Sequence, residues 1–159
     1  MPTFFSLIEV IEMAIAVEKA GRVYYEEVAK RTKDPEMKDL FSFLANEELK
    51  HERRFRELGE KIKASPYSLP GKWEEIQPYL QVITDSHFFT GSEKVIKQTE
   101  KAKEPKEILE YAIRFEKETI LFYYEILGLV KEEDQKIVQE IIAEERSHIK
   151  KLGEILVKY

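Results

Sequence analysis

Two short stretches hold residues that could do chemistry together: Glu47-Glu48-Leu49-Lys50-His51 and Glu144-Glu145-Arg146-Ser147-His148. Each ends in Glu-x-x-His. On a helix, positions three apart share a face, so a carboxylate and an imidazole leave one turn in the same direction. Well before each pair, another Glu falls inside an apolar helical stripe, Glu18 in the first half and Glu116 in the second. The pattern Glu…Glu-x-x-His is thus stated twice, and it offers oxygen and nitrogen donors for two metal ions.

The charges argue the same way. A carboxylate inside a packed apolar stripe costs several kcal/mol, or takes up a proton, unless something compensates it. Four carboxylates brought to one layer would repel one another strongly unless cations lay between them. Two divalent ions balance four carboxylates with both imidazoles neutral. Carboxylate and imidazole donors without thiolate favour iron or manganese, with zinc a third option. Taken singly, either Glu-x-x-His reads as a salt-bridged surface pair, and Glu18 or Glu116 as a half-exposed flank residue. Duplicated and phased on apolar faces, Glu18, Glu48, His51, Glu116, Glu145 and His148 read as a metal-ligand set. Tyr25 and Tyr123 follow Glu18 and Glu116 by two turns. They could donate hydrogen bonds to ligand carboxylates or serve as core aromatics whose phenols reach the surface. His87 reads as a loop residue, and Glu47, Glu118 and Glu144 fall off the inner faces as solvated side chains. Arg22, on the inner face of the first helix, is the cation best placed to pair with the carboxylates if metal does not.

Helices must position these residues. The first is expected from about Thr3 to Thr32, with Leu7, Ile8, Ile11, Ala14, Ile15, Glu18, Gly21, Arg22 and Tyr25 near one face. Asp34-Pro35 caps a second, running to about Lys63, whose inner face carries Leu40, Phe41, Leu44, Glu48, His51, Phe55 and Leu58. So short a connection makes the two antiparallel neighbours. From about Ala64 to Glu104 regularity lapses among turn signals at Ser65-Pro66, Leu69-Pro70-Gly71, Gln77-Pro78 and Thr90-Gly91-Ser92. Trp73, Tyr79, Phe88 and Phe89 should pack this crossover onto the body, and a short helix is expected from Ser92 to about Lys101. A third helix follows Glu104-Pro105 and should end near Leu127, before Gly128. Lys131-Glu132-Glu133-Asp134 opens the fourth, where early negative charge suits the helix dipole.

The two hairpins repeat. Ala14-Ile15-Ala16-Val17-Glu18-Lys19 matches Ala112-Ile113-Arg114-Phe115-Glu116-Lys117, and Tyr25 falls on Tyr123. One residue less of shift lays Glu48 on Glu145 and His51 on His148. A duplicated hairpin sets equivalent residues across a pseudo-twofold axis, where the half-sites meet. The expected fold is therefore all-α, a four-helix bundle made from two antiparallel hairpins (about 3–63 and 105–158) joined by one long crossover (about 64–104).

Composition sets the bounds. The 159 residues (18.8 kDa) suit a single domain over 1–159. Charged residues make up 36%, an excess of Lys and Glu that hot-environment and highly helical proteins share. The net charge of -5 has both signs interspersed, so no basic stripe invites nucleic acid. The absence of cysteine removes disulfides, thiol redox chemistry and an iron–thiolate centre on this chain. Neither a basic leader with an apolar run nor a membrane-length stretch occurs, so the expectation is a soluble, cytoplasmic protein.

On these motifs the sequence resembles the rubrerythrin branch of the ferritin-like di-iron carboxylate superfamily, across the four helices. The resemblance implies two irons bridged by Glu48 and Glu145, with Glu18 and His51 completing one and Glu116 and His148 the other. It also implies an oxidoreductase acting on hydrogen peroxide or oxygen. Electrons would come from an external donor such as a rubredoxin-type protein, and a homodimer is the expected assembly. A ferroxidase or iron-storage role is the alternative, and a non-catalytic metal-stabilised bundle a further one. Two departures stand out. Rubrerythrins carry an additional Glu one turn after the third-helix ligand, where this chain has Thr119, and they commonly end in a cysteine-rich rubredoxin domain.

Overall fold

The computed structural model describes residues 6–69, 73–84, 97 and 104–159. The first hairpin pairs α1 (Leu7–Arg31) with α2 (Pro35–Ala64), and the second pairs α4 (Pro105–Leu129) with α5 (Glu132–Leu156). Helix α3 (Trp73–Thr84) lies between them in the chain. Across the bundle α1 packs on α4 and α2 on α5, while α3 rests on α4. This is the duplicated antiparallel arrangement expected from the repeat. No helix among the described residues is long and apolar enough to cross a membrane.

Local chemistry sets the ends. Helix α1 begins at Leu7, later than the expected Thr3, because Ser6 forms a capping box with Glu9. The Glu9 N–H donates to Ser6 Oγ (3.2 Å) and the Ser6 N–H to Glu9 Oε2 (2.6 Å). Asp34 caps α2 by accepting from the Glu36 N–H at 2.9 Å, with Pro35 in the first turn. Helix α4 runs through Gly128 to Leu129 instead of stopping at Leu127. Leu129 and Val130 are buried there, and their apolar contacts carry the helix past the glycine. Asp134 does more than offer early negative charge to α5. It is wholly buried, accepting from Lys61 Nζ (2.5 Å) and from Tyr67 OH (3.1 Å). Tyr67 OH in turn accepts from the Lys131 N–H, which ties the end of α2 to the start of α5.

The crossover corrects one expectation. Residues 73–84 are helical rather than irregular, with Pro78 inside the helix. Trp73, Gln77 and Leu80 recur at helical spacing, and Leu80 and Gln77 are buried. Pro78 removes one hydrogen bond on the exposed side, where the Glu74 carbonyl can meet water instead. Trp73 packs against the core as expected, but Tyr79 is exposed, turned about 100° round the helix from buried Leu80. The turn at Thr90-Gly91-Ser92, Phe88, Phe89, His87 and most of the expected helix at 92–101 lie outside the described residues. Lys97 is helical.

The core fills with Phe41, Leu44, Phe55, Leu58, Leu109, Phe122, Val138, Ile141 and their neighbours. Helix α1 buries a wider arc than its expected stripe. Val10, Val17, Tyr24 and Val28 are inside as well, because α1 has two helical neighbours rather than one.

Candidate metal centre

Halfway along the bundle, each of the four long helices brings a buried Glu to one layer: Glu18 from α1, Glu48 from α2, Glu116 from α4 and Glu145 from α5. His51 and His148 lie one turn beyond Glu48 and Glu145, also buried, and their rings stack at 5.6 Å between centroids. The structure thus gathers all six expected side chains. Their donor atoms form two overlapping groups, Glu18, Glu48, His51 and Glu145 in one and Glu48, Glu116, Glu145 and His148 in the other. Within each group the atoms lie within 4.8 Å of one another. Glu48 and Glu145 belong to both.

Each imidazole presents Nδ1 to the carboxylates. His51 Nδ1 is 3.1 Å from Glu145 Oε1 and 3.5 Å from Glu18 Oε2. His148 Nδ1 is 2.8 Å from Glu145 Oε2, without hydrogen-bond geometry, and about equally far from Glu48 Oε1 (3.5 Å) and Glu116 Oε1 (3.6 Å). The tyrosines cross the bundle. Tyr25 OH donates to Glu116 Oε1, and Tyr123 OH donates to Glu18 Oε1. Each phenol therefore satisfies one oxygen of the other hairpin's carboxylate and leaves Oε2 free. Gly21 makes room beside them: a Cβ there would come within 2.9 Å of Phe115 Cε1 and 3.3 Å of Glu48 Oε2.

These atoms fit a pair of cations. Glu18 Oε2, both Glu48 oxygens, Glu116 Oε2, Glu145 Oε2 and His148 Nδ1 are buried with no hydrogen-bond partner. Buried polar atoms almost always have partners, so a cluster of orphaned carboxylate oxygens and an imidazole nitrogen in one layer has the chemistry to hold metal ions. Without cations the site compensates with protons. Burial and then Glu145, Glu18 and Glu116 push Glu48 well above the usual carboxylate range. Burial and Glu145 push Glu116 up to about 8. Burial opposes charge on the imidazoles, but Glu18 and Glu145 overcome it and raise His51 to about 12. Burial likewise opposes charge on His148, where Glu116 and Glu145 prevail and raise it to about 10. Burial and Glu18 press upward on Glu145, yet its contacts with His148 and His51 win and lower it. Burial, then the facing carboxylates, keep the Tyr25 and Tyr123 phenols protonated far above their ordinary range.

Arg22 does not enter this layer. It pairs with Glu26 (3.3 Å) and Glu52 (3.5 Å). Glu47 and Glu118 are half-buried, and Glu47 is held by Lys50 at 2.6 Å. Glu144 keeps 43% of its side chain exposed, as expected of a residue off the inner face, yet it also makes a contact that was not expected. From α5 its Oε2 reaches His51 Nε2 on α2 at 2.7 Å. Arg54 steadies it, with Nη1 3.4 Å from each Glu144 oxygen and Nη2 2.5 Å from Glu140. A helix-face pattern misses such a contact because the side chain reaches sideways across the groove to a neighbouring helix. The available signal was Ser147, which gives Glu144 no cation where Lys50 gives Glu47 one.

A solved structure from Thermotoga maritima, described as a ferritin-like diiron-carboxylate protein, is 26% identical over 96% of this chain and 95% of its own, with a TM-score of 0.66. Among curated proteins none matches the sequence. The rubrerythrin family model matches residues 9–105, which hold Glu18, Tyr25, Glu48 and His51, and the internal repeat extends the same ligand pattern to the second hairpin. With more than half its length under that model, and with paired carboxylates shared between two histidines, this chain belongs to the rubrerythrin family.

Proposed function

We propose that the protein is a di-iron oxidoreductase that reduces hydrogen peroxide or oxygen with electrons from a separate carrier. The observation that carries this reading is the sharing of Glu48 and Glu145 between two otherwise separate donor groups. Shared carboxylates draw two cations into adjacency, which is what a two-electron reaction at one O–O bond requires. A bound pair of ferrous ions would supply two electrons, and hydrogen peroxide accepting them with two protons leaves as two waters.

The chain's own groups do the rest. Glu18 with His51, and Glu116 with His148, would each complete one position. Tyr25 and Tyr123 fix the orientation of Glu116 and Glu18 by donating to Oε1, so that Oε2 faces inward. Both phenols keep their protons, which makes them standing hydrogen-bond donors beside the reacting layer. Burial of all six donors keeps bulk water out of the layer. These 159 residues hold no cysteine for a thiolate iron centre, which supports placing the source of the returning electrons outside them.

Stopped-flow mixing of the ferrous-loaded protein with peroxide tests the reading. Rapid oxidation that stops at two irons per chain, and recovers when an electron donor is added, is the expected result. Continued iron uptake beyond two per chain would move the assignment to iron handling. A loaded protein inert to both peroxide and oxygen would leave only a metal-stabilised bundle.

A further inference from the structure

The two halves of the site are related by the repeat, yet their surroundings are not alike. At the register that lays Glu48 on Glu145, Glu47 corresponds to Glu144, Lys50 to Ser147, Arg54 to Lys151 and Phe43 to Glu140. Lys50 holds Glu47 at 2.6 Å, one turn along the same helix. Ser147 cannot do this for Glu144, whose carboxylate crosses instead to His51 Nε2. Arg54 then bridges Glu144 and Glu140. On the opposite side the corresponding positions do something else. Lys151 Nζ lies 5.4 Å over the Phe43 ring, and that ring meets His148 edge-on at 6.3 Å. His51 thus has a carboxylate on its outer nitrogen, while His148 has an aromatic edge beside its ring. Among the described residues, no carboxylate pairs with His148 Nε2.

We propose that the two metal positions are inequivalent, that the His51 position fills first and holds its ion more tightly, and that Glu144 is the positioning residue responsible. The inference rests on the two-metal reading of the site. A carboxylate on the outer imidazole nitrogen fixes the proton there, leaves Nδ1 as the donor, and makes that donor more basic. It also locks the ring against rotation, so less freedom is lost when the ion arrives. Phe43 can restrict the His148 ring but cannot accept its proton. The asymmetry gives the pair one firmly held ion and one that exchanges more readily.

Anaerobic titration of the metal-free full chain with cobalt(II), followed by calorimetry and visible absorption, reads the two positions. Two steps separated by about tenfold or more in affinity are expected, the scale on which outer-shell partners act. Crystals grown with one equivalent of cobalt should show anomalous density beside His51. Glu144→Gln keeps the shape and removes the charge, and should weaken the first step by about 10- to 100-fold, drawing the two steps together. Ser147→Lys offers Glu144 a cation on its own helix, as Lys50 does for Glu47, and should act in the same direction without altering any proposed ligand. A purely structural role for Glu144 would lower the melting temperature of the metal-free chain and leave the order of filling unchanged, which would overturn the inference. Equal affinity in the native chain, or first occupancy beside His148, would overturn it too while leaving the two-metal reading intact. Fewer than two ions per chain would remove both.

Discussion

Tyr25 on the first hairpin hydrogen-bonds Glu116 on the second, and Tyr123 returns the bond to Glu18, so each hairpin orients a carboxylate of the other. The bonds lie in the buried layer where polar partners are scarce. Losing one leaves a wholly buried carboxylate with neither oxygen satisfied, since Glu116 Oε2 is already without a partner.

Tyr25→Phe should therefore destabilise the metal-free protein by about 1–3 kcal/mol, the desolvation cost of an orphaned buried group. At roughly 2–4 °C per kcal/mol for a chain of this size, that lowers Tm by several degrees. With metal bound, the same substitution should cost less, because Glu116 gains a cation. Thermal unfolding of both forms measures it. An unchanged metal-free Tm would mean that the phenol merely fills space.

The six donors were legible in the sequence because a charged residue on an apolar stripe is conspicuous, and because the stripe is stated twice. The convergence of Glu18 and Glu116 with the two Glu-x-x-His pairs needed only helical periodicity and the repeat. The caps at Asp34-Pro35 were equally local. Helix α3 was not read, since Pro78 looks like a turn and hides the spacing of Trp73, Gln77 and Leu80. Tyr24 was missed on α1 because a second neighbour widens the buried arc, and its OH reaches the Ile108 carbonyl on α4. Glu144 escaped for a related reason. Its partner, His51, lies on a different helix, and a single-helix pattern carries no information about sideways reach.

Acidity should separate the metal-free and metal-bound forms. In the metal-free protein His51 and His148 are raised to about 12 and about 10, and Glu116 to about 8. Each of these groups binds its proton more tightly folded than unfolded. Their stabilising contribution is complete below the unfolded values, about 6.5 for His and 4.3 for Glu, and is lost as pH rises through the folded ones. Glu145 is lowered and acts the other way, contributing above its unfolded value and losing that as pH falls. The metal-free Tm should accordingly fall as pH rises above about 4.3, where Glu116 begins to lose its share. The fall should be steepest between about 6.5 and about 8, where all three groups are losing theirs, and should continue to His51's value of about 12. Metal binding must expel the same protons, so its stabilisation should grow over that range. Melting curves of the two forms should diverge with rising pH, and calorimetry in buffers of different ionisation enthalpy should show proton release. Parallel curves would rule out protons as the stand-in for metal.

Thr119 marks where this chain differs from the family pattern of an added carboxylate one turn after the third-helix ligand. The side chain is buried, and its Oγ1 donates to the Phe115 carbonyl at 2.8 Å, so the hydroxyl is satisfied within its own helix. Thr119→Glu would remove that bond and add a fifth acid to a layer that already holds four. In the metal-free protein the larger side chain costs about 1–3 kcal/mol in overpacking, and an ionised carboxylate there adds several more unless it takes up a proton. A fall in Tm of several degrees is the expected outcome. The metal-loaded variant should recover most of that loss, because the new carboxylate lies one turn from Glu116 on the same face and can reach the ions. If that carboxylate aids turnover, ferrous-loaded Thr119→Glu should react faster with peroxide than the native chain. Equal losses of Tm with and without metal, and an unchanged rate, would show that position 119 serves packing alone.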